Sequence, residues 1–227
     1  MGVKVQRTKL KAQRFKVIIP VVSRDLAAAL LQSMAGNTIL PDSVLIIDNS
    51  LGKKPYEFKA DSPVSVINTG TCLGVNASWN MGITHTRPCD YVAILNDDVI
   101  LGSRFFERNI QVFEKYPDCG VACPHTVNDP AALDADTSRR IMRMKKREGW
   151  AMSFRWSLLR EIPPIPEDMV TFCGDDWFWV HTHKNGFCWM KDTGNVVYHG
   201  IGEAVKKLGV RSHLRQDKAT FKRLVTA

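Results

Sequence analysis

No stretch of this 227-residue chain is apolar for the roughly 20 residues that a bilayer crossing takes. Nor does it open on the apolar segment of a secretory signal. Lys4, Arg7, Lys9, Lys11, Arg14 and Lys16 keep that region basic, and Val17 to Val22 is short and broken by Pro20. Gln6 stands where an N-myristoylation motif wants Ser or Thr. A cytoplasmic protein without a membrane span is therefore expected. The six cysteines (Cys72, Cys89, Cys119, Cys123, Cys173, Cys188) form no CxxC pair. Cys119 and Cys123 are the nearest, and no second pair completes a zinc site, so reduced, mostly buried thiols are expected. No GxGxxG follows a strand-like run, which disfavours a dinucleotide oxidoreductase. Pro20-Val21-Val22-Ser23 is not the glycine-rich loop that a nucleotidyltransferase would show after its first strand.

What is present suits a single α/β domain. The 44% hydrophobic and 24% charged residues are ordinary for a globular core. The net charge of +8 is uneven. The first sixteen residues carry no acid, and Arg139, Arg140, Arg143, Lys145, Lys146 and Arg147 form a second cluster. Lys206, Lys207, Arg211, Arg215, Lys218, Lys222 and Arg223 form a third. Such patches are commonly solvated faces, but three of them favour an anionic partner.

Short apolar runs at Phe15 to Val22, Val44 to Ile47, Val64 to Ile67 and Tyr91 to Leu95 read as buried strands. Helical patterns follow at Arg24 to about Met34, through Ala77 to about Thr84, and at Ser103 to Tyr116. That alternation predicts a parallel, doubly wound sheet. Ser23 and Arg24, Asp48 and Asn49, and Asp97 and Asp98 follow three of the strand ends, so they should meet at one crevice. Further on, His125 to Arg147 reads as a long mobile loop or short helices. Trp150 to Phe154 reads as a strand, Cys173 to about Asn185 as a helix closed by Gly186, and Val196 to Tyr198 as a short strand. The tail from about Ser212 reads as a basic helix.

The most informative stretch is Ala93-Ile94-Leu95-Asn96-Asp97-Asp98, a buried-strand signal that ends in two carboxylates. Paired hard oxygen ligands there suit a divalent cation that also holds phosphates. The plainer reading is a cap on the helix near Ser103. Taken with V-I-I-P-V-V-S-R (17–24), V-L-I-I-D-N-S (44–50), L-G-V-N-A-S-W-N-M-G-I (73–83), L-N-D-D-V (95–99), G-W-A-M-S-F-R (149–155), G-D-D-W-F-W (174–179) and K-N-G-F (184–187), the chain resembles a family 2 glycosyltransferase with the GT-A fold. The resemblance runs from about Phe15 to His199.

It implies a Rossmann-like, mostly parallel sheet flanked by helices, with a small antiparallel acceptor-side sheet. The nucleotide-sugar-binding half would span about 15–123, the acceptor half about 124–213, and a basic helix about 214–227. A nucleotide sugar, UDP-linked by preference, would be held by Pro20, Ser23, Arg24, Asp48, Asn76, Asn80, Asn96 and Asp97. Mn²⁺ or Mg²⁺ would bind Asp98, with His199 either a further ligand or a core histidine. Either Asp175 or Asp176 would be the catalytic base, since counting from Gly174 favours Asp176 and counting back from Lys184 favours Asp175. One of them also suits the helix N-cap. Trp150, Trp177, Arg143 and Lys146 are the acceptor-side candidates. The usual second acid-and-leucine run is replaced by Trp177-Phe178-Trp179, which departs from the family pattern.

With the basic clusters, the acceptor expected is a hydroxylated base in DNA, such as the 5-hydroxymethylpyrimidine of a virus. A bacterial surface glycan or lipid-linked sugar is the alternative. A non-catalytic nucleic-acid-binding module would explain the charge and leave the acids without a role.

Overall fold

The computed structural model describes residues 14–50, 57–133, 138–200 and 213–226. The basic segment before Arg14, and Lys206, Lys207 and Arg211 of the third cluster, lie outside them. Among the described residues nine strands form one sheet: β1 (Phe15–Val21), β2 (Ser43–Asp48), β3 (Val64–Asn68), β4 (Tyr91–Leu95), β5 (Val99–Leu101), β6 (Cys119–Val127), β7 (Ile141–Arg143), β8 (Ala151–Arg155) and β9 (Cys188–His199). Their order is β3-β2-β1-β4-β8-β6-β9-β5, and β7 pairs with β9 outside that path. The β1 to β4 half is parallel. Antiparallel pairing enters at β8 and recurs where β5 and β7 meet β9, within the same sheet.

The helices are α1 (Arg24–Ala35), α2 (Val75–His85), α3 (Phe105–Lys115), α4 (Trp156–Glu161), α5 (Gly174–Lys184) and α6 (His213–Val225). Covered on both sides, β1 needs apolar residues at successive positions rather than alternate ones. Phe15, Val17 and Ile19 face one core layer with α1 and α3, while Ile18 faces the other with α2, α4 and α5. Burying each such side chain stabilises the fold by about 1.5–3 kcal/mol. Helix α1 docks through Ala27, Leu30, Leu31 and Met34, the i, i+3, i+4, i+7 stripe of an amphipathic helix. Helix α2 lies closer still. A Cβ on its Gly82 would come within 2.3 Å of the Ile18 side chain, so any larger residue would lift α2 off β1.

The described part of the 125–147 region contains strand segments where a long mobile loop or short helices were expected. Strand β6 runs on to Val127, a single 3₁₀ turn covers Pro130–Ala132, and β7 follows. Likewise β9 is twelve residues long, where only its end was expected. Its pairing with β6 jumps from Asp192 to Val196, so Thr193, Gly194 and Asn195 bulge out of register. Those polar residues interrupt the apolar pattern by which strands are recognised.

Candidate active site

The carboxyl ends of β1, β2 and β4 meet at one crevice, as parallel packing requires. Asp97 is 2% exposed, and its Oδ2 accepts hydrogen bonds from the Val22 and Ser23 backbone N–H groups at 2.8 and 2.7 Å. It thereby holds the β1–α1 turn against the end of β4. Asp48 receives Arg24 Nη2 at 2.9 Å and the Ser50 N–H at 3.0 Å. Burial pushes its carboxyl up, but the Ser50 and Arg24 interactions outweigh this and hold it below the usual range. Pro20, Val22, Asn49, Gly74, Asn96 and Asp97 line this end of the crevice, with His213 from α6 opposite.

The other end of the crevice, sharing Val75, Asn96 and Thr171 with the first, holds Asp98, Asp175, Asp176, His199, Arg147 and Trp150. The antiparallel pairing of β5 with β9 sets His199 opposite Val99 and thus beside Asp98. Its Nε2 stands 3.2 Å from Asp98 Oδ1. This buried oxygen accepts no hydrogen bond from the described residues. Trp150 stacks on the imidazole at 5.0 Å and 13°, its own Nε1 anchored on Thr126 Oγ1. A rigid imidazole nitrogen beside an unsatisfied buried carboxylate oxygen is a donor set that suits a divalent cation. No group of three His, Cys, Asp or Glu suited to a metal occurs among the described residues. Substrate oxygens would have to complete the coordination, which the open cleft allows.

Both acids of the Gly174-Asp175-Asp176 turn enter the same cleft. The chain reaches α5 through Cys173, which alone among the described non-glycine residues has a positive φ, 63°. Such a conformation costs about 1–2 kcal/mol and persists where surroundings enforce it. The next position must be glycine, because a Cβ on Gly174 would lie 2.2 Å from Asn76 Oδ1. Arg147 grips Asp176 with Nε at 2.6 Å and Nη2 at 2.7 Å, and lies 3.5 Å from Asp175. Burial raises the Asp175 carboxyl above its usual range, against the opposing charge of Arg147.

Several expected site residues sit elsewhere. Asn80 directs both ends of its amide to the Ile165 backbone, at 2.7 and 2.9 Å. The Asn76 amide donates to the Met169 and Phe172 carbonyls, both at 2.9 Å. Both residues tie the 165–172 segment to α2 and so shape the crevice from behind. Trp177 is buried in the core with Nε1 on the Pro163 carbonyl, because the face of α5 that carries it packs inward. Arg143 pairs with Asp118 away from the cleft, and exposed Lys146 does not line it.

Other residues were missed. Arg147 was visible as part of a basic cluster, and only its position two residues before the Gly149-Trp150 motif hinted at the site. Asn49, expected at the crevice beside Asp48, lines it, but its amide ties were not foreseen: it accepts from Leu73 N–H and donates to Ser78 Oγ, joining β2 to α2. Asp217 of α6, fully buried, accepts from the Val170, Thr171 and Phe172 N–H groups at 3.0, 2.9 and 2.7 Å. No sequence signal marked it.

No protein-family model matches the sequence, and no curated protein matches it. Solved structures do match. TarS of S. aureus aligns at 15% identity and TM-score 0.62, over 83% of this chain and 37% of that one. GalNAc-T7 with UDP, GalNAc and Mn²⁺ aligns at 11% and 0.65, over 82% and 43%. The mannosyltransferase PcManGT from Pyrobaculum calidifontis, in complex with GDP-Man and Mn²⁺, aligns at 14% and 0.63, over 93% and 64%. The chain thus spans between about a third and two thirds of the length of these proteins. At such identities the likeness establishes the fold, GT-A.

Proposed function

We propose that the chain is a metal-dependent glycosyltransferase, moving a sugar from a nucleotide-sugar donor to an acceptor hydroxyl with inversion. The carrying observation is the Asp98 oxygen, buried, without a hydrogen-bond donor among the described residues and 3.2 Å from His199 in a cleft that also contains Asp175 and Asp176. Two structural neighbours bind a nucleoside diphosphate or its sugar together with Mn²⁺, which supports the donor class.

Asp98 and His199 would hold the cation. When bound, Mn²⁺ or Mg²⁺ supplies Lewis-acid stabilisation of the diphosphate oxygens as they gain charge. The nucleotide would occupy the Pro20, Asn49, Asn96 and Asp97 end of the crevice, with Ser23, Arg24 and Asp48 shaping its floor. Asp175 is the better base. Asp176 has both oxygens engaged by Arg147, whereas Asp175 meets Arg147 only at 3.5 Å and its burial raises its proton affinity. Asp175 takes the acceptor proton, the acceptor oxygen bonds the anomeric carbon, and the bond from that carbon to the diphosphate breaks. Nucleoside diphosphate leaves.

For the acceptor, exposed Arg140, Lys145 and Lys146 near Arg147 support a polyanion, and we carry forward a hydroxylated pyrimidine in DNA. Incubation with UDP-glucose, UDP-GlcNAc and GDP-mannose in Mn²⁺ should release nucleoside diphosphate from at least one. Asp98→Ala should cut that release by about a thousandfold or more without lowering the melting temperature. Turnover at full rate in that variant would contradict the metal role. Absence of any gel shift with hydroxymethylated duplex at low salt would remove DNA as acceptor and favour a surface-glycan or lipid-linked sugar instead.

A further inference from the structure

Helix α6, expected as a basic helix, forms a wall of the cleft. Residues Leu214, Lys218, Phe221 and Val225 follow the i, i+4, i+7, i+11 spacing of a single helix face. Phe221 and Val225 pack against the core layer beneath α2 and α5, while Leu214 and Lys218 line the cleft of Asp98, Asp175 and His199. Lys218 continues this stripe where it reaches the cleft, and it is itself solvent-exposed there. Its rotation is fixed by the adjacent Asp217, whose carboxylate is held by three backbone N–H groups. On the neighbouring face, His213 Nδ1 meets Thr171 Oγ1 at 3.1 Å.

The charges in the cleft make Lys218 conspicuous. Arg147, the other cation lining it, is engaged by Asp175 and Asp176. Lys218 makes no ion pair with any described residue, although three carboxylates line the same cleft. An ammonium on a flexible stem, presented to a cleft and not neutralised there, is suited to an incoming anion.

We propose that Lys218 is a donor-binding residue that contacts the diphosphate of the nucleotide sugar, so that α6 completes the donor site. This rests on the nucleotide-sugar reading above. The ammonium supplies positive charge beyond that of the Asp98 and His199 site, where charge develops on the departing diphosphate. Asp217 ties the helix that carries Lys218 to the 170–172 backbone.

The test is calorimetric titration of UDP and GDP into the full chain with Mn²⁺, with uridine and guanosine as phosphate-free controls. Lys218→Gln should weaken the diphosphate that binds by about tenfold, and Lys218→Arg should keep affinity within about threefold. Nucleoside binding should not change. Arg215→Gln removes the same charge from a position of α6 that, unlike Lys218, does not line the cleft, and should leave affinity unchanged. Unchanged affinity in Lys218→Gln, or an equal loss in Arg215→Gln, overturns the proposal while the transferase reading stands. Failure of the unaltered chain to bind either diphosphate with Mn²⁺ overturns both.

Discussion

The acids at the two ends of the crevice are held by different kinds of partner. At the end proposed for the donor, Asp97 is gripped by backbone N–H groups of the β1–α1 turn, and Asp48 by a backbone N–H and a largely buried guanidinium. Those partners belong to the main chain or the core, and they move only if the sheet moves. At the end proposed for the acceptor, Asp175 and Asp176 are 26% and 21% exposed, and their shared partner Arg147 is 41% exposed. The Asp97 end is preset, whereas the Asp175 end is held by partners that can rearrange. The two ends also titrate in opposite directions, Asp48 held low and Asp175 pushed high. Asp48 therefore contributes stability above its unfolded pKa, lost as pH falls through the lowered folded value. Asp175 contributes stability below its unfolded pKa, lost as pH rises through the raised folded value.

The sharpest break in that comparison would come from the two acids of α5. Asp175→Asn should lower kcat by roughly 10²–10⁴-fold, the usual worth of a general base, while Asp176→Asn lowers it by no more than about tenfold. The Asp175 carboxylate must be ionised to work. The rate of the unaltered enzyme should therefore fall as pH drops through a value above the ordinary aspartate range. Removing the ion pair in Arg147→Ala should move that fall to higher pH, because Arg147 opposes the upward shift. In stability, Asp175→Asn should erase a component that weakens the fold as pH rises, giving a higher melting temperature at neutral pH. Equal losses in both Asn variants would mean that the grip of Arg147 does not distinguish the two acids.

A smaller effect, and one of stability, is expected at the donor end. Asp97→Ala leaves the Val22 and Ser23 N–H groups without their acceptor in a part-buried turn. It should cost roughly 2–4 kcal/mol in denaturant unfolding, at about 1–2 kcal/mol for each orphaned donor. Asp97→Asn keeps an acceptor oxygen and should lose less. A wild-type unfolding midpoint in Asp97→Ala would show that this turn is not preset by the carboxylate.

The same contrast explains how much could be read beforehand. Strands β1, β2 and β4 are doubly covered, and so show as uninterrupted apolar runs whose ends announce Ser23, Asp48, Asp97 and Asp98. The β6 to β9 half carries polar residues inside its strands, such as the bulged Thr193-Gly194-Asn195, and periodicity cannot find it. Charge proved equally deceptive. Arg139, Arg143 and Arg147, each four apart, read as one polyanion-binding cluster. The fold separates them onto Asp192, Asp118 and Asp176. Partners so remote in the chain carry no local signal. Nor did anything mark Asp217, because a lone acid in a basic tail resembles any solvated residue.

The smallest effect tests that separation directly. Arg143 lies only four residues before Arg147, but its partner Asp118 is at the surface, the two side chains being 70% and 42% exposed. Water screens such a pair, and holding two long side chains together costs entropy, so Arg143→Ala should change unfolding free energy by less than about 1 kcal/mol. Donor hydrolysis should stay at the unaltered rate, since Arg143 does not line the cleft. Transfer to the acceptor is the discriminating measurement. A KM for acceptor raised more than about tenfold, with donor turnover intact, would return Arg143 to the acceptor path and extend the adjustable end of the crevice along β7. An unchanged KM would confine that end to Arg147 and the two carboxylates it covers.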